Sequence, residues 1–144
     1  MNHWLFLFRL KQKRVTQAIV LAESRTSGEI RVFVTHQKCA DALSAARVQF
    51  DKLGMAKTKH RNAVLIFIAP RTRKFAVVGD QAVHKKCGDA FWRDVADTMS
   101  AEMLAGGFTD AIVHAVEKTG ALLAEHFPPD AEKLNELPDE IATD

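Results

Sequence analysis

Ala63-Val64-Leu65-Ile66-Phe67-Ile68-Ala69 is a run of seven apolar residues, rich in β-branched side chains, and its reading decides the fold. A half-exposed strand alternates polar and apolar positions. A run with no polar position belongs to a strand covered on both faces. Working outward, Pro70-Arg71-Thr72-Arg73 makes a turn, and Phe75-Ala76-Val77-Val78 returns antiparallel to the run. Upstream, Ile30, Val32 and Val34 alternate with Glu29, Arg31, Phe33 and Thr35, the period of a strand. Between these two strands Leu43, Ala46, Val48, Phe50 and Leu53 fit a helix over 41–53, stopped by Gly54. Strand, helix and strand form a right-handed unit with parallel strands. Helices must then cover both faces, which predicts a three-layer α/β/α sandwich, an α/β fold with a small mixed β-sheet.

The flanks read as further helices. Val15, Ala18, Ile19 and Ala22 follow helical spacing over 11–24, and Thr26-Ser27-Gly28 breaks the pattern. The preceding Trp4-Leu5-Phe6-Leu7-Phe8 either extends this helix or folds back as an apolar plug. After Gly79-Asp80 the pattern becomes helical again: Phe91, Trp92, Val95, Met99 and Met103 form one apolar stripe ended by Gly106-Gly107, with a helix that follows Gly88. Ala111, Ile112, Ala115, Val116, Leu122 and Leu123 form another, ended by Phe127-Pro128-Pro129. The rest is an acidic tail with Leu134, Leu137 and Ile141 as candidate anchors. The organisation is an aromatic and basic segment at 1–10, an α/β/α domain at 11–127 and a tail at 128–144.

A chain of 144 residues buries about 68–70% of its extended surface and needs no disulfide or metal to make a core. Cys39 and Cys87 are therefore expected to be two separate thiols. Apolar runs fall short of the ~20 residues of a spanning helix, and Trp4 to Phe8 is too short for a signal peptide. The expected location is cytoplasmic, peripheral to the inner membrane. The net charge of +2 hides an asymmetry: 17 Lys and Arg stand against 5 Asp and Glu over residues 1–88, and 3 against 13 over 89–144. Either acidic helices lie beside a basic sheet edge in one domain, or a basic face meets an anionic surface such as membrane headgroups. No stacking aromatics interleave with the lysines, so no nucleic acid is expected. P-loop, dinucleotide and Gly-x-Ser-x-Gly fingerprints do not occur, and His84-x-x-Cys87 lacks the second pair a zinc site needs. A helix start near Cys87 would lower its pKa and make it reactive, but with no base identified beside it an ordinary thiol is expected.

The topology brings chemistry to one rim. The starts of the first and central strands and the end of the third share a sheet end, which places Glu29, Arg61, Asn62 and Asp80 there. Two carboxylates about 4 Å apart repel by roughly 4 kcal/mol at an effective dielectric near 20. A cation, a proton or a guanidinium must offset that. Glu29, Asn62 and Asp80 offer oxygens suited to Ca2+ or Mg2+, and Arg61 is a candidate for an anion. The alternative is that Glu29 and Asp80 are strand-end residues in water or paired with arginine. At the opposite rim lie Thr35, His36, Gln37 and the Arg71-Thr72-Arg73-Lys74 turn, either a phosphate or carboxylate grip or a solvated hairpin tip.

Taken in order, several segments resemble the TPM-domain family, that of thylakoid-lumen phosphatase-like, photosystem-repair and receptor-modulator proteins. They are Ser27-Gly28-Glu29-Ile30-Arg31-Val32, Lys57-Thr58, Arg61-Asn62-Ala63-Val64-Leu65-Ile66, Gly79-Asp80, Phe91-Trp92, Gly107-Phe108, His126-Phe127-Pro128 and Asn135-Glu136-Leu137-Pro138-Asp139. The closing motif is similar to that of short, soluble bacterial members. The resemblance implies an α/β/α sandwich, a cation-binding edge at Asn62 and Asp80, and phosphatase activity or Ca2+ binding in some members. It also implies a membrane-anchored TPM relative or a LemA-type protein as partner. The chain departs from the family pattern in having no early Asp-x-x-Gly loop, and in carrying Ala63 and Ala82 where many relatives have glycine.

Three functional readings follow. The first is a non-enzymatic interaction or assembly module acting near a membrane partner, with no catalytic residue and no small-molecule substrate identified. The second is a weak divalent-cation-dependent phosphatase: Asp80 positions the metal, Asn62 and Glu29 complete its ligands, and Arg61 neutralises phosphate. The third is a structural Ca2+ site.

Overall fold

The computed structural model describes residues 5–6, 9–129 and 136–144. In chain order the elements are α1 (Gln12–Glu23), β1 (Glu29–Val34), α2 (Ala42–Lys52), a 3-10 turn (Met55–Lys57), β2 (Ala63–Ala69), β3 (Lys74–Gly79), α3 (Gln81–Leu104), α4 (Phe108–His126) and β4 (Ala142–Thr143). The strands form one sheet in the order β3-β2-β1-β4. β1 runs parallel to β2 and to β4, and β3 is antiparallel to β2.

All seven residues of β2 are buried because each face of the sheet has its own core. Ile30, Val32 and Val34 of β1 join Val64, Ile66 and Ile68 of β2 on the face that α1, α3 and α4 cover. Phe33 joins Ala63, Leu65, Phe67 and Ala69 on the other, where α2 packs through Ala42, Ala46 and Phe50. Phe33 and Phe67 stack across the parallel pair, with ring centroids 5.7 Å apart and planes 4° from parallel. Each large side chain so buried is worth about 1.5–3 kcal/mol. The three layers are those the continuous apolar run requires. Phe6 is buried against Phe108 at 5.3 Å, which favours the plug reading for that residue. Trp4, Leu7 and Phe8 lie outside the described residues.

Two elements add to the sequence reading. Helix α3 begins at Gln81, directly after Gly79-Asp80 as the pattern indicates, and a second helical segment follows a break at Gly88. The Asp80 side chain accepts from the Gln81 N–H at 2.7 Å, and fully buried Val83 anchors the first turn. Gly88, at φ 69° and ψ 176°, interrupts the helix inside its span, in a conformation that side chains with a Cβ resist. Cys87 therefore ends a helical segment instead of starting one, and burial pushes its thiol pKa up, not down. Both cysteines are free thiols, as expected.

The second concerns the tail. Residues 136–144 run along the outer edge of β1 and end as β4, pairing Phe33 with Ala142 and Val34 with Thr143. Leu137 and Ala142 are buried and Ile141 packs on the core, so two of the candidate anchors do anchor it. Leu134 lies outside the described residues.

Candidate functional site

Strand polarity does gather the expected residues on one rim. Glu29 lies opposite Ala63 in the β1–β2 register, and the Asp80 N–H donates to the Ala63 carbonyl at 2.9 Å on the other side. The Glu29 and Asp80 backbones therefore flank β2 two strand spacings apart, about 10 Å. Each side chain turns to a separate partner.

Asp80 is held by Arg61. Its Oδ2 accepts from Arg61 Nε at 2.7 Å, and its Oδ1 from Arg61 Nη2 at 2.9 Å as well as from the Gln81 N–H. This fork is the strong, planar form of the ion pair, and the hydrogen bonds to Asp80 raise the Arg61 pKa further. Arg61 reaches Asp80 from a left-handed backbone (φ 52°), a cost of order 1 kcal/mol. Its carbonyl also accepts from the Ala82 N–H at 3.2 Å.

Asn62 is buried and donates from Nδ2 to Ser27 Oγ at 3.1 Å. The loop before β1 is tied down further: Ser27 N–H donates to the Phe127 carbonyl at 3.1 Å, and Gly28 N–H to Thr26 Oγ1 at 3.1 Å. A Cβ at Gly28 would sit 3.2 Å from the Asn62 carbonyl oxygen and 3.0 Å from Leu123. The Ser27-Gly28-Glu29 sequence is thus explained by close packing at this corner.

Glu29 is fully buried, and its Oε1 accepts from the Glu136 N–H of the tail at 2.7 Å. The Glu136 carboxylate in turn accepts from the Lys59 N–H at 3.1 Å. Beside Glu29 stands a residue that sequence reading missed. Glu23, at the end of α1, is buried, and its Oε2 accepts from the Ile30 N–H at 2.8 Å. That N–H lies on the β1 edge above the reach of β4, so the side chain does the work of a strand partner. Burial, hydrogen bonding with Asp139 and Glu29, and the nearby Glu29 charge push the Glu23 pKa up to about 10. Glu23 thus keeps its proton at neutral pH, and that proton is what lets three carboxyl groups meet at the start of β1. In sequence Glu23 reads as an ordinary polar position on a helix; no local signal marks it.

A divalent cation does not fit this rim as arranged. The guanidinium of Arg61 stands where a cation on Asp80 would have to sit, and Asn62 is turned to Ser27. Among the described residues no group of three or more His, Cys, Asp or Glu side chains is placed to hold a metal ion. At the opposite rim the Asp144 carboxylate accepts from the Thr35 hydroxyl and from the His36 N–H at 2.8 Å. Lys74 Nζ donates to the Ala40 carbonyl. Arg71 Nη1 donates to the His36 carbonyl at 3.4 Å, so Arg71, Lys74, Thr35 and His36 all bond within the chain.

An open, four-stranded mixed sheet between helical layers, with one rim closed by an arginine–carboxylate fork and a docked tail, defines a small α/β/α domain class. The family model of the TPM domain matches residues 6–122, and the chain belongs to that family. The solution NMR structure of BA42 protein from the psychrophilic bacterium Bizionia argentinensis is similar: 33% identity over 92% of each chain, TM-score 0.83. No curated protein matches. No helix among the described residues is long and apolar enough to cross a membrane.

Proposed function

We propose that this TPM domain is a non-enzymatic interaction or assembly module that works near a membrane partner and binds through its basic sheet edge. The supporting observation is that Asp80, Asn62 and Glu29 each have a partner within the chain. Asp80 is forked by Arg61 and caps α3, Asn62 holds Ser27, and Glu29 holds the tail backbone. A phosphate would have to draw Arg61 from Asp80, and a cation would have to displace it. Either step exchanges a made, charge-assisted pair for a new one and weakens both the phosphatase and the Ca2+ readings. A membrane-anchored relative or a LemA-type protein is the partner class this reading favours.

Hydrolysis of a generic phosphomonoester, with Mg2+ or Ca2+, by wild type and Asp80→Ala tests the non-enzymatic reading. Equal rates at the background level are expected. Turnover by wild type that a folded Asp80→Ala protein loses would replace it with the phosphatase. Co-sedimentation with anionic vesicles at low salt tests the membrane component, and absence of binding removes that component.

A further inference from the structure

The sheet ends on the two-residue β4 at one side and on β3 at the other, and β3 is the long edge whose outward groups find no partner among the described residues. The Asp80 N–H bond to Ala63 makes those two residues a hydrogen-bonded pair, and such pairs alternate along an antiparallel ladder. In the observed register Val78 and Ala76 therefore face β2 through Leu65 and Phe67. Phe75, Val77 and Gly79 turn their N–H and C=O groups outward, and among the described residues nothing bonds them. Sheets usually blunt such an edge with a lysine, a proline, a bulge or a covering element, and β3 has only Lys74 at its start. β3 contains no proline and its register is one-to-one throughout.

What lies over this edge is a groove of about 520 Å³, within the ~300–1,000 Å³ range of binding sites. Its floor is Phe75 to Gly79. Leu43 and Arg47 of α2 form one wall, and Trp92 and Arg93 of α3 the other. Both arginines are exposed, they come from opposite faces of the sheet, and neither forms an ion pair among the described residues. The one carboxylate among its lining residues, Asp89, lies 3.5 Å from His84 Nδ1, and Asp41 and Asp97 line a separate hollow at the Lys74 end of the strand. Trp92 is buried, its Cζ2 packs where a Cβ on Gly79 would be 3.1 Å away, and its indole N–H has no acceptor among the described residues.

We infer that β3 is a strand-addition site for an extended acidic segment of a partner protein. The inference rests on the binding reading above and specifies its mode. Successive side chains of an added strand point to opposite faces. Two neighbouring acidic residues therefore reach Arg47 on one side and Arg93 on the other, while flanking apolar residues pack on Leu43 and Trp92. The six residues of β3 offer an edge about 20 Å long, enough for a segment of similar length. A second copy of this chain fits poorly, because joining β3 to β3 brings the arginines of both copies into one seam.

The test is a titration of the full, 15N-labelled chain with the end-blocked peptide Thr-Val-Glu-Asp-Val-Thr, beside a version with lysine at both acidic positions. Shifts centred on the Phe75, Val77 and Gly79 amides are expected, with exchange slowed about tenfold or more on saturation. The Arg47→Glu/Arg93→Glu variant should weaken binding about tenfold or more. A flat titration, equal binding of the lysine peptide, or shifts elsewhere would each overturn the proposal. Concentration-dependent protection of the same amides without peptide would overturn it in favour of self-association. Phosphomonoester turnover would sink the non-enzymatic reading whatever the titration shows, so the two failures are distinguishable.

Discussion

The two edges of this sheet are handled in opposite ways. Along β1, every kind of available group closes the edge: the Glu23 carboxyl bonds Ile30, the tail backbone bonds Glu29, β4 pairs with Phe33 and Val34, and Asp144 ties down Thr35 and His36. Along β3 the outward amides meet, among the described residues, a groove rimmed by Arg47 and Arg93. An edge closed by a strand of two residues needs side chains to finish the work, and those side chains had to be buried to do it. The contrast marks the β1 side, which β4 completes, as structural, and β3 as the edge left for another molecule.

The largest effect should come from opening the closed edge. Deleting residues 136–144 removes Leu137, Ala142 and Ile141 from the core and exposes the β1 backbone. A loss of about 3–5 kcal/mol is expected from burial and hydrogen bonding together. Thermal unfolding should drop by about 10 °C or more, with light scattering reporting association through the bared edge. An unchanged midpoint would mean that β1 needs no closure, and the contrast between the edges would fail.

Next comes the proton on Glu23. Its folded pKa, about 10, lies above the ordinary carboxyl value of 4.5. Between those limits the unfolded chain releases a proton that the folded chain keeps, so stability falls as pH rises through the window. Wild type should lose thermal stability steadily from about pH 5 to pH 9. Glu23→Gln preserves the acceptor for Ile30 and a donor towards Asp139 without a titrating group. It should match wild type near the acid end and exceed it at the alkaline end. Parallel pH profiles for the two proteins would remove Glu23 from the account of the closed edge.

Asp80 ranks third, because Arg61 is 39% exposed on its side-chain surface and water screens part of the pair. Asp80→Asn keeps a side chain able to cap α3 and should cost less than Asp80→Ala. The alanine variant loses the cap as well, about 1 kcal/mol more. Chemical denaturation of the two variants measures the difference.

What the sequence disclosed tracks how local each cause is. The run from Ala63 to Ala69 coincides with β2 residue for residue, because two-sided burial leaves its mark at every position. Strand polarity likewise placed Glu29, Asn62 and Asp80 on one rim. Their partners were hidden: Arg61 turns on an unusual backbone angle, and Glu29 meets a residue more than a hundred positions away. β4 is too short to show a period. The start of α3 after Gly79-Asp80 was legible too, since Asp80 before Gln81-Ala82-Val83 is a cap followed by helix formers. That Gly88 breaks the element on a positive φ leaves no periodic mark.

The smallest effect should fall on the open edge. Arg47 and Arg93 are exposed helix residues without ion-pair partners among the described residues. Reversing both charges should leave thermal unfolding within about 0.5 kcal/mol of wild type. If these arginines were gatekeepers that keep copies of the chain apart, the glutamates would do so equally well and solution size would not change either. Only acidic-peptide binding separates the two roles: a gatekeeper variant binds, or fails to bind, as wild type does, whereas a recognition variant loses affinity at constant stability. A large fall in stability would show instead that the arginines hold α2 and α3 in place, and β3 would then be a second structural edge and not an open one.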